Sequence, residues 1–131
     1  MTLQPASGAR DLNPQQVKKN HLIASKLSSL YQLWGYERIS PPHIERIDTL
    51  MAAGGISNNE ILKIVSDEPL GLRPEITASI VRAASTRFND YDRPLRFWST
   101  GTSFKCNQSI DGGIDIEESF QSGVELIGTK A

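Results

Sequence analysis

Apolar residues recur through the first part of the chain at the spacing of a helix. From Val17 onward, Ala24, Leu27, Tyr31 and Trp34 are separated by three, four or seven positions, and Ile23 and Leu30 widen the stripe, as one apolar helix face requires. Asn13-Pro14 offers an N-cap and a proline at the first helical position, and Gly35 a stop, so a helix of roughly twenty residues is predicted. Residues 1–12, which include Pro5, Gly8, Arg10 and Asp11, show little periodicity and read as an extended leader. Residues 36–40 form a short strand candidate that Pro41-Pro42 ends, because consecutive prolines cannot continue a hydrogen-bonded ladder. Ile44, Ile47, Leu50 and Met51 return to helical spacing and predict a helix over 44–53, stopped by Gly54-Gly55. Beyond an Asn58-Asn59 linker, residues 61–66 and 69–72 are predicted as short strands around an Asp67-Glu68 turn.

The period then shortens to two. Pro74 fixes its own φ and pushes Arg73 towards an extended conformation, so a strand ends there and a helix carrying Ile76, Ile80, Ala83 and Ala84 begins just beyond, running to about Phe88. Glu75 and Thr77 are placed in its first turn, where unpaired N–H groups favour a carboxylate; that carboxylate either caps the helix or receives an ammonium group. Residues 95–104, rich in aromatic and β-branched types, read as a long strand. Residues 105–116, with Gly112-Gly113, read as a loop much longer than a tight hairpin needs, a length that is usually functional or disordered. A second strand over 120–128 follows, antiparallel to the first. Its alternation sends Gln121, Gly123 and Glu125 to one face and Phe120, Val124 and Leu126 to the other. The polar face is either a ligand floor, with Gly123 admitting close approach, or an ordinary solvated sheet surface.

Composition narrows the function classes. A chain of 131 residues with a formal charge of −1 fits one globular domain and has no global basic field to attract nucleic acid. One cysteine, Cys106, with only His21 and His43, excludes an internal disulfide framework and leaves no zinc-ligand spacing; a reducing cytoplasm fits best. No apolar run approaches the ~18 residues that a membrane span needs, and no apolar signal core precedes the first helix.

The order of these motifs resembles the catalytic core of class II aminoacyl-tRNA synthetases and, within that class, the histidyl-tRNA synthetase group. Gly8-Ala9-Arg10-Asp11-Leu12-Asn13-Pro14 is similar to that group's N-terminal signature. Trp34-Gly35-Tyr36 through Pro42 and Glu45 is similar to the class's first motif, and Leu72-Arg73-Pro74-Glu75-Ile76-Thr77 to the histidine-recognition segment. Residues 101–104 and 120–128 look like the strands of the second motif. The resemblance implies an α+β fold, a mostly antiparallel sheet flanked by helices, and a first-motif dimer seam. It also implies that Glu75 and Thr77 contact the amino group of histidine, with Gln121 and Glu125 completing the polar floor. An ammonium held away from water needs anionic or carbonyl acceptors, and both glutamates supply them.

Against that pattern, Lys105 stands where the synthetases carry the arginine that clamps the α-phosphate, and Asn107 stands for their adenine-binding glutamate. Lysine lacks the planar fork of arginine, and Asp111, Asp115, Glu117 and Glu118 replace basic loop residues and would repel a triphosphate. A histidine pocket beside a degraded ATP site is similar to the synthetase paralogues that serve as regulatory subunits of ATP phosphoribosyltransferase in histidine biosynthesis. That resemblance implies a non-catalytic subunit, without catalytic residues, metal or cofactor, that activates a short catalytic subunit and carries histidine feedback as a homodimer within a hetero-oligomer. The chain ends before any third motif, so it is expected to be the N-terminal part, residues 1–131, of a histidyl-tRNA synthetase-like core domain. A genuine synthetase core, which would activate histidine with ATP, and a stand-alone amino-acid-binding module remain as rival readings.

Overall fold

A computed structural model describes residues 3–52 and 54–129. The predicted first helix is present as α1 (Pro14–Leu33), and its start is fixed by a capping box in which Asn13 accepts from the Gln16 N–H while the Gln16 side chain accepts from the Asn13 N–H. Both orphan donors are thereby satisfied. The helix ends at Trp34, and Gly35 follows at φ 79°, in the left-handed conformation that favours glycine after a helix.

The sheet is built from β1 (Glu37–Arg38), β4 (Leu95–Gln108) and β5 (Ile114–Ile127), in the order β1-β4-β5. β1 runs parallel to β4, and β4 is antiparallel to β5. A two-stranded ladder pairs β2 (Ile44–Arg46) with β3 (Leu70–Leu72). Two helices complete the chain, α2 (Ile47–Ala52) and α3 (Thr77–Ser85). α3 packs on one face of the main sheet: Ile76, Ile80 and Ala84 meet Leu95 and Phe97, with Ile39, Phe88 and Ile127 at the margin. Each large apolar side chain buried there contributes about 1.5–3 kcal/mol. α1 lies across the other face, where Tyr31 packs on Trp98 at 5.6 Å between ring centroids and shares a hydrogen bond with Ser122.

Several expectations are corrected. Residues 44–46, predicted as the start of a helix, form a strand because they pair with Leu70–Leu72, and the helix begins only at Ile47; the predicted end at residue 53 lies outside the described residues. Of the predicted strand 61–66, only an isolated bridge between Lys63 and Gly71 forms, after a 3-10 turn at Asn58–Glu60. α3 starts at Thr77, so Glu75 precedes its first turn, and it stops at Ser85. The long loop predicted over 105–116 is mostly strand, because β4 and β5 stay paired out to Gln108 and Ile114 and leave a tight turn at 109–113. Within the apolar stripe of α1, Ala24, Leu27 and Tyr31 are half-buried, whereas Val17, Ile23, Leu30 and Trp34 are exposed. The apolar face of β5 is also largely uncovered, with Phe120 at 51% and Leu126 at 46% exposure.

Candidate functional site

The four predicted ligand residues come together. A cavity of about 410 Å³ lies between the approach to α3 and the α3 face of the sheet, lined by Glu75, Ile76, Thr77, Ile80, Ser99, Gln121, Gly123 and Glu125. Parity explains the sheet side: Gln121, Gly123 and Glu125 alternate with Ser122 and Val124 along β5 and share the face of Phe97 and Ser99 on β4. Gly123 stands opposite Ser99, and a side chain at Gly123 would meet nothing within 4 Å. The glycine therefore keeps the cavity floor open. Ser99, 3% exposed, was missed as a lining residue; its register with Gly123, once the strands are aligned, is the signal that finds it.

Glu75 and Glu125 are both half-buried, and the Thr77 hydroxyl donates to Glu125 Oε1 at 2.8 Å. That bond fixes one carboxylate and leaves its second oxygen available. No lysine or arginine lines the cavity, so its field is negative over a partly apolar base of Ile76 and Ile80. Two carboxylates, hydroxyls and an amide around such a base suit a ligand bearing one ammonium group and an apolar or aromatic body.

Glu75 is held by a brace outside any helix. Arg73, 2% exposed, donates from Nη1 to the Pro41 carbonyl and from Nε to that of Thr102, both at 3.0 Å. Its backbone N–H donates to His43 O, and its carbonyl accepts from the Phe104 N–H. The guanidinium thus ties the Pro41-Pro42 segment to β4, two residues before Glu75. Burial pushes the Arg73 pKa below its ordinary value, and the Glu45 carboxylate partly restores it. Glu45 is itself buried on β2 and accepts from Arg82 Nε on α3 through both oxygens at 2.9 Å. Gly101 is required here, since a β-carbon at that position would lie 2.4 Å from Arg73 Nη2.

Lys105 and Asn107 are not part of this cavity. They lie further along β4, where Lys105 faces Glu117 and Asn107 faces Asp115 across the ladder. Asn107 Nδ2 donates to Glu117 Oε2 at 3.0 Å, and Ser119 donates to Glu117 Oε1 at 3.1 Å. Asp115 accepts from the Ser7 hydroxyl, and Ile116 N–H donates to Ser7 O at 2.7 Å, so the leader docks along β5. The expected acidic loop is thus a set of strand side chains, with Glu118 on the opposite face from Asp115 and Glu117 and only Asp111 in the turn.

Residues 8–131 match the sequence profile of the family described as histidyl-tRNA synthetase. The chain belongs to that family. It is 95% identical over 131 residues to an ATP phosphoribosyltransferase regulatory subunit of Prochlorococcus marinus (strain NATL1A), covering all of this chain and 34% of the relative. To the protein of the same name from Synechococcus sp. (strain WH7803) it is 58% identical over 130 residues, 99% of this chain and 33% of the relative. The chain therefore spans about a third of the length of the curated relatives it matches. Among solved structures, an ATP phosphoribosyltransferase regulatory subunit/histidyl-tRNA synthetase from Bacillus halodurans superposes with a TM-score of 0.86 at 28% identity, over 98% of this chain and 33% of that one. A histidine–tRNA ligase subunit from Alicyclobacillus acidocaldarius gives 0.82 at 26%, over 100% and 37%. The α+β fold expected of a class II core is accordingly present. No helix among the described residues is long and apolar enough to cross a membrane.

Proposed function

We propose that residues 1–131 are the N-terminal part of a histidyl-tRNA synthetase-like core domain in a regulatory subunit of ATP phosphoribosyltransferase, and that the Glu75, Thr77, Gln121 and Glu125 cavity holds free histidine. The subunit acts in the cytoplasm as a homodimer bound to a short catalytic subunit, contributes no catalytic residue, and passes histidine occupancy to its partner. The observation that carries this reading is the contrast along one hairpin. The cavity at Gln121 and Glu125 is open and anionic, while at the far end Asn107 and Glu117 satisfy each other. Any effect of histidine on the partner is reciprocal, so the partner's state changes histidine affinity by the same factor.

Calorimetric titration of histidine into the complete subunit with its catalytic partner tests the site. Glu75→Gln and Glu125→Gln should each weaken binding by about 2–5 kcal/mol, the cost of truncating one side of a desolvated charge pair. Glu117→Gln should leave it unchanged. Equal affinity in wild type and Glu75→Gln would remove the cavity from the account. The synthetase reading predicts histidine-dependent pyrophosphate exchange with ATP, whereas the regulatory reading predicts none.

A further inference from the structure

The base of the cavity holds a polar group that contacts within the chain leave unused. Ser99 lies on β4, 3% exposed and in register with Gly123 of β5, and its hydroxyl makes no hydrogen bond among the described residues. It is not sealed in, however. Among those residues, the side-chain polar atoms that are both inaccessible and unpaired are Ser79 Oγ and Trp98 Nε1. The little surface that Ser99 keeps therefore includes its oxygen, and that surface lines the cavity. A hydroxyl withdrawn from bulk water without a partner is costly, and a ligand atom that reaches it recovers the bond.

Three cross-strand pairs make the floor: Phe97 opposite Glu125, Ser99 opposite Gly123, and Gly101 opposite Gln121. Phe97 is packed into the core below α3, and Arg73 Nη2 lies over Gly101, 2.4 Å from where a β-carbon would stand. At Gly123 a β-carbon would meet nothing within 4 Å. The middle pair is therefore where a ligand can descend to the sheet, and Ser99 is the polar group it meets there. Same-face neighbours along a strand are about 7 Å apart, so an ammonium held at Glu125 brings atoms a few bonds further along the same ligand over Ser99 and Gly123.

We propose that Ser99 is a specificity-determining residue that hydrogen-bonds a ring nitrogen of the ligand, a role that rests on the histidine reading of the cavity and adds what separates histidine from other amino acids with a flat side chain. A neutral imidazole carries one donor and one acceptor nitrogen, and a hydroxyl can serve either. Ile76 and Ile80 favour a ring but do not distinguish imidazole from a ring of the same shape without nitrogen. A site built to hydrogen-bond a ligand atom rejects the analogue lacking it, because its own polar group is then left unpaired.

Calorimetric titration of the complete subunit with its catalytic partner tests this with histidine and with 2-thienylalanine, a five-membered-ring analogue without a ring nitrogen, read by competition against histidine. Ser99→Ala should weaken histidine about tenfold and 2-thienylalanine by less than about twofold, so that the preference between them shrinks. Urea unfolding without ligand should show Ser99→Ala no less stable than wild type, since the hydroxyl it removes has no partner in the protein; a purely structural role would lower the midpoint and move both ligands alike. Gly123→Ala should not destabilise the subunit, yet should weaken histidine at least about fivefold by filling the space over the middle pair. Unchanged histidine affinity in Ser99→Ala, equal losses for the two ligands, or unchanged histidine affinity in Gly123→Ala would overturn the proposal. If Ser99→Ala is silent while Glu75→Gln still weakens histidine, the cavity keeps its ligand and only the role of Ser99 falls; a wild-type complex that binds no histidine removes both.

Discussion

Replacing Arg73 tests the brace that holds the segment carrying Glu75 and Thr77. Arg73→Ala removes two hydrogen bonds of 3.0 Å, to Pro41 O and Thr102 O; the contact to Pro42 O, at 3.5 Å, is at the geometric limit and adds little. Bonds from a charged donor are worth about 1.5–3 kcal/mol each, which gives about 3–6 kcal/mol. Relief from burying a cation offsets part of this, and Glu45 keeps Arg82 as a partner through two 2.9 Å contacts, so its charge is not orphaned. The net expectation is a loss of about 3–4 kcal/mol, at the lower end for breaking a buried ionic cluster. Gly101→Ala supplies the control. In the wild-type background its β-carbon would sit 2.4 Å from Arg73 Nη2, an overpacking cost of about 1–3 kcal/mol, whereas with Arg73→Ala the space is free. Urea unfolding of the full-length subunit in a double-mutant cycle measures both numbers and their coupling. A loss below about 1 kcal/mol for Arg73→Ala, or equal costs for Gly101→Ala in the two backgrounds, would refute the brace.

Two other perturbations address separate elements. Asn13→Ala breaks the capping box of α1 and should cost about 0.5–2 kcal/mol in urea unfolding, with Asn13→Ser recovering most of it. Leu33→Ser with Trp34→Ser removes side chains that are 84% and 72% exposed. It should change unfolding by no more than about 0.5 kcal/mol yet shift the full-length subunit towards monomer in sedimentation if this face forms the seam; an unchanged dimer would exclude that role.

The legible parts of this fold are those that local chemistry determines. Asn13-Pro14 and Gly35 bound α1 because cap geometry depends on a few consecutive residues. The parity of Gln121, Gly123 and Glu125 is read from period two alone, and the cavity assembles on that face. Less legible were features decided by distant partners. Ile44, Ile47 and Leu50 have helical spacing, yet residues 44–46 are drawn into a ladder by Leu70–Leu72, a tertiary preference that overrides local pattern. The outer half of the β4–β5 hairpin was hidden for another reason: Phe104, Cys106, Ile114 and Ile116 do alternate with Lys105, Asn107, Asp115 and Glu117, but Gly112-Gly113 and the crowd of acidic side chains suggested a long loop, whereas the turn is confined to 109–113. Arg73 reads as one more charge beside a proline, and only the carbonyls of Pro41 and Thr102 reveal its structural role.

The cavity end and the outer end of the β4–β5 hairpin are electrostatically separate. Glu117 lies eight positions before Glu125 on β5, about 26 Å away at the strand rise of ~3.3 Å per residue. At that distance a unit charge acts on another by only about 0.6 kcal/mol at an effective dielectric constant near 20, and exposed charges beyond the Debye length of about 8–10 Å are screened further. Charge on the side chains at 107–118 therefore weighs little on the field at Glu125. Mechanical coupling is a different matter, since β4 is continuous from Ser99 in the cavity wall to Lys105 and Phe104 is tied to the Arg73 carbonyl. The cavity wall is thus mechanically tied to the outer hairpin and to the Pro41-Pro42 segment, while charge at the hairpin tip contributes little. That separation leaves the charge of the hairpin tip with little hold on the two carboxylates of the cavity.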